Sequence, residues 1–343
     1  MTNIVVSPEQ CYEAIKETLQ AGLVPVVKAS PGVGKSWINQ QIAKDFNLKL
    51  IDFRLTTADP TDLQGFPSHS KDGTRMGYLP PENIPLEGDS IPEGYNGWYL
   101  FFDEITSAFP SLQAASYKIM LDKMVGQHHI HKNCVIAAAG NLTTDKAITF
   151  QMSTALQSRL VHFTLQVNNS DWQKWALDYD IDYRIRAFLK WKPDLLHNFK
   201  PDHSDETFAC PRTWEFASRF TKRHPDDIDT STLICLAGTV GNGPAIEFQG
   251  FTKIYNKLPK MEDIQKNPDS IVLPEEPSVM WALSSLLCNK DNVNILPKVM
   301  PFVNRLPMEF QVWTLRGAIK IKPELLNVPE INAWKIQNAD KLY

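Results

Sequence analysis

Ala29-Ser30-Pro31-Gly32-Val33-Gly34-Lys35-Ser36 has the spacing of a phosphate-binding loop, and the rest of the chain is read outward from it. A loop that closes on Gly-Lys-Ser and opens a helix aims several backbone N–H groups inward. It also sets a Lys ammonium on the β- and γ-phosphates and offers a hydroxyl to Mg²⁺. Such a loop needs a strand before it and a helix after it. Val24 to Lys28 is apolar and β-branched with Pro25 at the strand start, and Trp37-Ile38-Asn39-Gln40-Gln41-Ile42-Ala43-Lys44 offers an apolar helical face. The first motif position is Ala29 where the usual form has Gly. Its Cβ excludes left-handed geometry but fits a normal exit from a strand.

At 343 residues the chain exceeds the usual single core, so two or more domains are expected. Its 43% hydrophobic and 22% charged residues place it with globular proteins and exclude the disordered class. A formal net charge of −4 and a pI near 6.1 argue against a broadly basic surface for nucleic acid and leave room only for a local basic groove. The five cysteines, Cys11, Cys134, Cys210, Cys235 and Cys288, are scattered without a Cys-x-x-Cys pair, the usage of reduced thiols in an intracellular protein. Cys134 lies in an apolar run and reads as a small buried hydrophobe. With no signal pattern and no apolar run of about 18 residues, the expectation is a cytoplasmic protein without a membrane span.

Ser7-Pro8-Glu9-Gln10 is a helix start, followed by apolar positions at Tyr12, Ile15 and Leu19. Leu48 to Leu55 alternates as a second strand, and strand, helix, strand implies a parallel α/β sheet. Thr56 to Gly97 is rich in turn formers, a long irregular stretch of the kind that is usually functional. Trp98 to Glu104 is an apolar run ending in two carboxylates, as a buried parallel strand facing a ligand crevice should be. An Asp there can hold Mg²⁺ and the following Glu can polarise a water attacking the γ-phosphate; alternatively the two acids start the next helix. The upstream loop, about 70 residues before, favours nucleoside triphosphate hydrolysis.

Pro110 to Met124 reads as helix and Val125 to His131 as a hairpin, in which His129 and His131 would share a strand face. No nearby Cys or spaced carboxylate completes a metal shell there, so a solvated hairpin is the reading. Cys134 to Ala139 is a further buried strand ending in Gly140-Asn141, where Asn141 either forms a turn or bonds the γ-phosphate or the attacking water. Leu160 to Leu165 is the next strand. Arg159 before it either complements a helix dipole or reaches a neighbouring subunit's γ-phosphate.

Ala29 to Ser36, Phe102-Asp103-Glu104, Gly140-Asn141 and Ser158-Arg159-Leu160 occur in the order found in AAA+ ATPases, and together they resemble the MoxR-like branch. Asp59-Pro60-Thr61-Asp62-Leu63-Gln64-Gly65 is similar to that family's Asp-Leu-x-Gly segment, and Ile119 to Gly126 to its helix and hairpin. Cys210-Pro211-Arg212-Thr213-Trp214-Glu215 resembles its Ser-Pro-Arg element, with Cys210 in place of Ser. The resemblance covers about residues 20–260 and implies an α/β AAA+ P-loop domain with a central five-stranded parallel sheet over 1–166. A small α-helical lid over 167–260 and a linker with helical extension over 261–343 would follow.

It further implies ATP and Mg²⁺ as cofactors. Ser30, Pro31, Gly32, Val33, Gly34, Lys35, Ser36 and Trp37 would cradle the nucleotide, with Ser36 and Asp103 on Mg²⁺. Glu104 would be the catalytic carboxylate, Asn141 the first sensor, Arg159 the finger acting in trans and Arg212 the lid sensor. The same resemblance implies a homo-oligomeric, hexameric ring that remodels a protein client, often alongside a protein with a von Willebrand factor type A domain. Alternatives are a DNA-directed motor or loader, for which Lys123, Lys132 and the nearby histidines supply few basic residues, and an ATP-gated scaffold with negligible turnover, which the Asp103-Glu104 pair disfavours.

Beyond the sheet, Asp171 to Leu177 and Tyr183 to Trp191 read as helices, and Leu233 to Val240 leads into the turn formers Gly241-Asn242-Gly243-Pro244. Residues 261–277 resemble a linker, and 278–326 turns helical again. Trp281 and Trp313 would pack on the lid or dock a neighbour or client. Residues 329–343 read as a polar, mobile tail.

Overall fold

The computed structural model describes residues 4–69, 72–145, 149–150, 152–202 and 205–338. The chain divides into two units, one of residues 1–168 with 199–203, the other of 169–198 with 204–343.

The first unit is built on β1 (Val5–Val6), α1 (Pro8–Gln20), β2 (Pro25–Ala29), α2 (Lys35–Asp45) and β3 (Leu48–Arg54). There follow α3 (Pro60–Gln64), the strand pair β4 (Phe66–His69) and β5 (Met76–Leu79), β6 (Gly97–Asp103) and α4 (Pro110–Tyr117). Next come the short β7 (Met124–Val125) and β8 (His128–His129), then β9 (Cys134–Asn141), α5 (Thr154–Gln157) and β10 (Val161–Leu165). Ser7 starts α1 as expected: its hydroxyl accepts from the Gln10 N–H while the Gln10 side chain accepts from the Ser7 N–H.

The main sheet runs β1-β10-β2-β9-β6-β3, with every neighbouring pair parallel. It has six strands, not the five expected. The sixth is the edge strand β1, whose Val5 and Val6 sit opposite Thr164 and Leu165. Two residues are too few for alternation to be read in sequence; the ladder makes them a strand. All of β6 is buried, the pattern of a central parallel strand covered on both faces. On one face Val27, Ala29, Phe101 and Ala139 pack with Ile15, Ile38 and Ile42 of α1 and α2. On the other, Val26, Leu100, Phe102 and Ala138 meet Leu112 and Ala115 of α4. A fully buried side chain such as Phe101 or Phe102 contributes about 1.5–3 kcal/mol.

The stretch from Thr56 to Gly97 is more ordered than its composition predicts. Asp59 caps α3 in a box closed by Asp62, and β4 pairs antiparallel with β5 from Phe66↔Leu79 to His69↔Met76. Pro67 and Gly77 break the strand signature, which is why this hairpin is not legible beforehand. The helix expected through Met124 stops as regular α-helix at Tyr117 and continues as a π-helical turn over Lys118–Asp122.

The second unit is helical among its described residues: α6 (Asn169–Asp178), α7 (Tyr183–Trp191), α8 (Pro211–Lys222), α9 (Thr230–Val240), α10 (Asn242–Thr252), α11 (Met261–Lys266), α12 (Pro277–Leu287), α13 (Met300–Val303), α14 (Met308–Ile321) and α15 (Pro329–Gln337). The Phe188 ring of α7 lies 5.7 Å from Trp214, 5.4 Å from Phe248 and 5.5 Å from Phe251, so one aromatic cluster joins α7, α8 and α10. Asp182 and Arg184 form an ion pair at 2.9 Å, both side chains almost wholly buried. The same guanidinium also donates to the carbonyls of Thr221, His224 and Pro225.

Three expectations change in this unit. Gly241-Asn242-Gly243-Pro244 is the start of α10, since Pro at a helix's first turn gives up an N–H that has no partner anyway. Residues expected as linker include α11, whose Met261 and Ile264 are buried. The polar tail contains α15, held by Ile331 and by Trp334, whose indole N–H donates to Gln311 Oε1 at 2.6 Å; residues 339–343 lie outside the described residues. The open question about Trp281 and Trp313 resolves onto α7: Lys190 lies 5.3 Å over the Trp281 ring and Arg186 5.4 Å over that of Trp313. Among the described residues no helix is long and apolar enough to cross a membrane.

Candidate functional site

Parallel register collects distant residues at one edge of the sheet. Ala29 of β2 sits beside Asn141 of β9, and Arg54 of β3 beside Asp103 of β6. All four lie at the C-terminal ends of parallel strands, where open α/β sheets bind ligands.

The loop Ser30 to Gly34 springs from this edge. Gly32 and Gly34 have φ of 75° and 100°, left-handed values that only Gly takes without strain. Gly34 is the N-cap of α2 and no side chain caps that helix, so its first N–H groups face the loop. Val33 is buried, and Ser30, Pro31 and Trp37 are half-buried, with Trp37 packed on the α1–α2 core. Ala29 is extended in β2, a conformation that its Cβ accommodates.

Lys35 Nζ donates to the carbonyls of Ala29 at 2.9 Å and Ser30 at 3.1 Å, and to Asn141 Oδ1 at 3.0 Å. Ser36 Oγ donates to Asp103 Oδ2 at 2.8 Å, and the Glu104 N–H donates to Asp103 Oδ1 at 2.8 Å. Asp103 is only 6% exposed, and among the described residues it has no cationic partner. A buried carboxylate beside a hydroxyl is a set of hard oxygen donors, which fits Mg²⁺. Asp52, on β3, is pushed above the usual carboxylate range by burial first and then by the charges of Asp103 and Glu104, so negative charge is concentrated here.

Glu104 has φ of 61°, a left-handed value that costs a residue with a side chain about 1–2 kcal/mol. Its carboxylate accepts from Thr56 Oγ1 and lies 3.9 Å from Arg54 Nε. Neither acid opens a helix, because α4 begins only at Pro110. Thr56 and Arg54 belong to no motif and carry no signal of this role in the sequence.

Two further supports also carried no sequence signal. Thr106 Oγ1 accepts from the Asn141 N–H at 2.8 Å and donates to its carbonyl at 3.1 Å. A Cβ on Gly140 would come within 2.5 Å of that hydroxyl, so only Gly fits. Asn39 accepts from the Tyr99 hydroxyl at 2.7 Å and donates to the Lys35 carbonyl at 2.8 Å, tying the first turn of α2 to β6.

Arg159 follows α5 and is exposed, its N–H donating to the Leu156 carbonyl at 3.1 Å. Arg212 is exposed in the first turn of α8 and belongs to the second unit. His129 and His131 do not share a strand: β8 ends at His129, and His131 takes a bond from the Asn133 N–H and packs 4.8 Å from Trp98. Burial pushes the Cys134 thiol up to about 12, as befits a core residue.

No protein-family model matches the chain, and no curated protein matches it in sequence. Among solved structures it is similar to a presumed ATPase from Cytophaga hutchinsonii, at 14% identity over 99% of this chain and 89% of that one, with a TM-score of 0.36. A likeness of that size assigns neither fold nor activity.

Proposed function

We propose that this chain is a Mg-ATP-dependent ATPase of the AAA+ class, close to the MoxR-like branch. The observation that carries the reading is the pair of bonds Lys35–Asn141 and Ser36–Asp103, which tie a Gly-Lys-Ser loop to the ends of two neighbouring strands. Donors and acids so arranged match what phosphoryl transfer needs: positioning, and cations against developing charge.

In this reading Ser30 to Trp37 hold the nucleotide phosphates, and Lys35 exchanges its carbonyl partners for phosphate oxygens. Ser36 and Asp103 would hold Mg²⁺, which when bound neutralises charge on the transferring phosphoryl group. Glu104 orients and deprotonates the attacking water once released from Thr56 and Arg54. Asn141, already bonded to Lys35, senses the γ-phosphate. Exposed Arg159 acts on a neighbouring subunit's nucleotide and Arg212 closes from the lid.

The domain division proposed is a nucleotide-binding domain over 1–166, a lid over 167–260 and an extension over 261–343. A finger in trans requires a ring, for which a hexamer is proposed, and remodelling of a protein client is the proposed output.

Phosphate release from Mg-ATP tests the reading. Wild-type turnover abolished by Lys35→Ala and by Glu104→Gln, with nucleotide binding kept in the second, supports it. Absence of nucleotide binding by the folded wild type overturns it.

A further inference from the structure

Lys28 is the residue of β2 just before the phosphate loop, and alternation turns it to the sheet face opposite α2. Its neighbours in register are Thr164 of β10 and Gly140 of β9. Two cavities share Lys28 and Gln157 as wall. The larger, about 470 Å³, is also lined by Thr106, Thr143 and Thr149. The smaller, about 370 Å³, adds His162 and Thr164. Among the described residues no carboxylate lines either one.

The donors here are largely unspent. Among the described residues the Lys28 ammonium has no hydrogen-bond or ion-pair partner, and neither do the hydroxyls of Thr143 and Thr149. Gln157, by contrast, spends its amide on the Met152 carbonyl at 2.8 Å. Partial burial holds the Lys28 pKa below the usual lysine range. A half-buried cation beside free hydroxyls, in a cavity large enough for a small ion, lacks only an anion.

We propose that Lys28, Thr143 and Thr149 form a binding site for a small oxyanion, phosphate or carboxylate, separate from the phosphate loop and behind β2. One wall is Thr106, which brackets the backbone of Asn141, so an anion held here sits one side chain from the residue bonded to Lys35.

Calorimetric titration of the full chain with inorganic phosphate, and separately with malonate, tests the site and identifies the preferred anion. Lys35→Ala, which lacks the loop lysine, is expected to bind one probe at a single saturable site. Lys28→Met added to Lys35→Ala weakens that binding by about tenfold or more, and Lys28→Arg in the same background retains it. Because Lys35→Ala removes the loop lysine, the outcome does not depend on whether the chain is an ATPase. Should Lys28→Met unfold, the ¹³C-methyl signal of reductively dimethylated Lys28 in the wild type is followed instead, and it should move on adding the same probe. Binding unchanged by Lys28→Met, or no saturable response to either probe at millimolar concentration, overturns the proposal.

Discussion

The Lys35 ammonium donates a hydrogen bond to Asn141 Oδ1 at 3.0 Å, joining residues 106 positions apart. The bond exists because β2 and β9 are parallel neighbours and their register sets Ala29 against Asn141. It ties the Gly-Lys-Ser loop to the end of β9. Asn141→Ala is therefore expected to lower ATP turnover by about a hundredfold with little change in nucleotide affinity, read as kcat against KM. Equal loss in Lys35→Ala and Asn141→Ala, with no further loss on combining them, would show that the two act as a unit.

Glu104→Gln should cut turnover by about 10²–10⁴-fold while ATP remains bound, since only the proton acceptor is removed. Thr56→Val frees the same carboxylate from one restraint. Basal turnover is expected to rise by up to about tenfold, and a fall instead would mean that Thr56 aims Glu104 productively.

The Arg159 assignment is checked by mixing chains. Arg159→Ala and Glu104→Gln are each expected to be inactive alone, and together they should recover part of the activity if the finger acts across subunits. No recovery in rings verified to contain both chains removes the assignment.

Arg184→Leu is expected to destabilise the second unit by about 3–5 kcal/mol, because Asp182 is left buried without its partner. The double variant Asp182→Leu with Arg184→Leu should recover part of that loss, measured by urea denaturation. A single variant as stable as wild type would show that water satisfies the carboxylate.

Asp52 yields a pH prediction with a definite sign. Its folded-state pKa lies above the unfolded value of about 3.9, so the folded state binds the proton more tightly and the charged form carries a penalty at neutral pH. The penalty shrinks as pH falls through the folded pKa and vanishes below the unfolded one. Asp52→Asn should therefore raise the urea midpoint at about pH 7 and leave it unchanged at about pH 3. A difference that stays constant with pH would assign the effect to packing.

The sequence by itself determined the parts whose signal is local. Gly32 and Gly34 announce a loop that only left-handed residues can make, Trp98 to Phe102 a strand buried on both faces, and Ser7 the first cap. The Asp103-Glu104 pair was legible because it closes such a strand. Tertiary structure alone decided what depends on register and on side chains from separate segments. The edge strand β1 exists by pairing with β10, and β4 with β5 form a hairpin despite Pro67 and Gly77. The left-handed turn at Glu104, its hold by Thr56 and Arg54, and the Thr106 bracket on Asn141 follow from which strands lie side by side. So does the cavity at Lys28, a residue that in sequence is only the last position before a phosphate loop. Periodicity reports the few residues within one turn or one pleat, whereas hydrogen bonds and charges act over about 3–4 Å between atoms that the chain brings together only on folding.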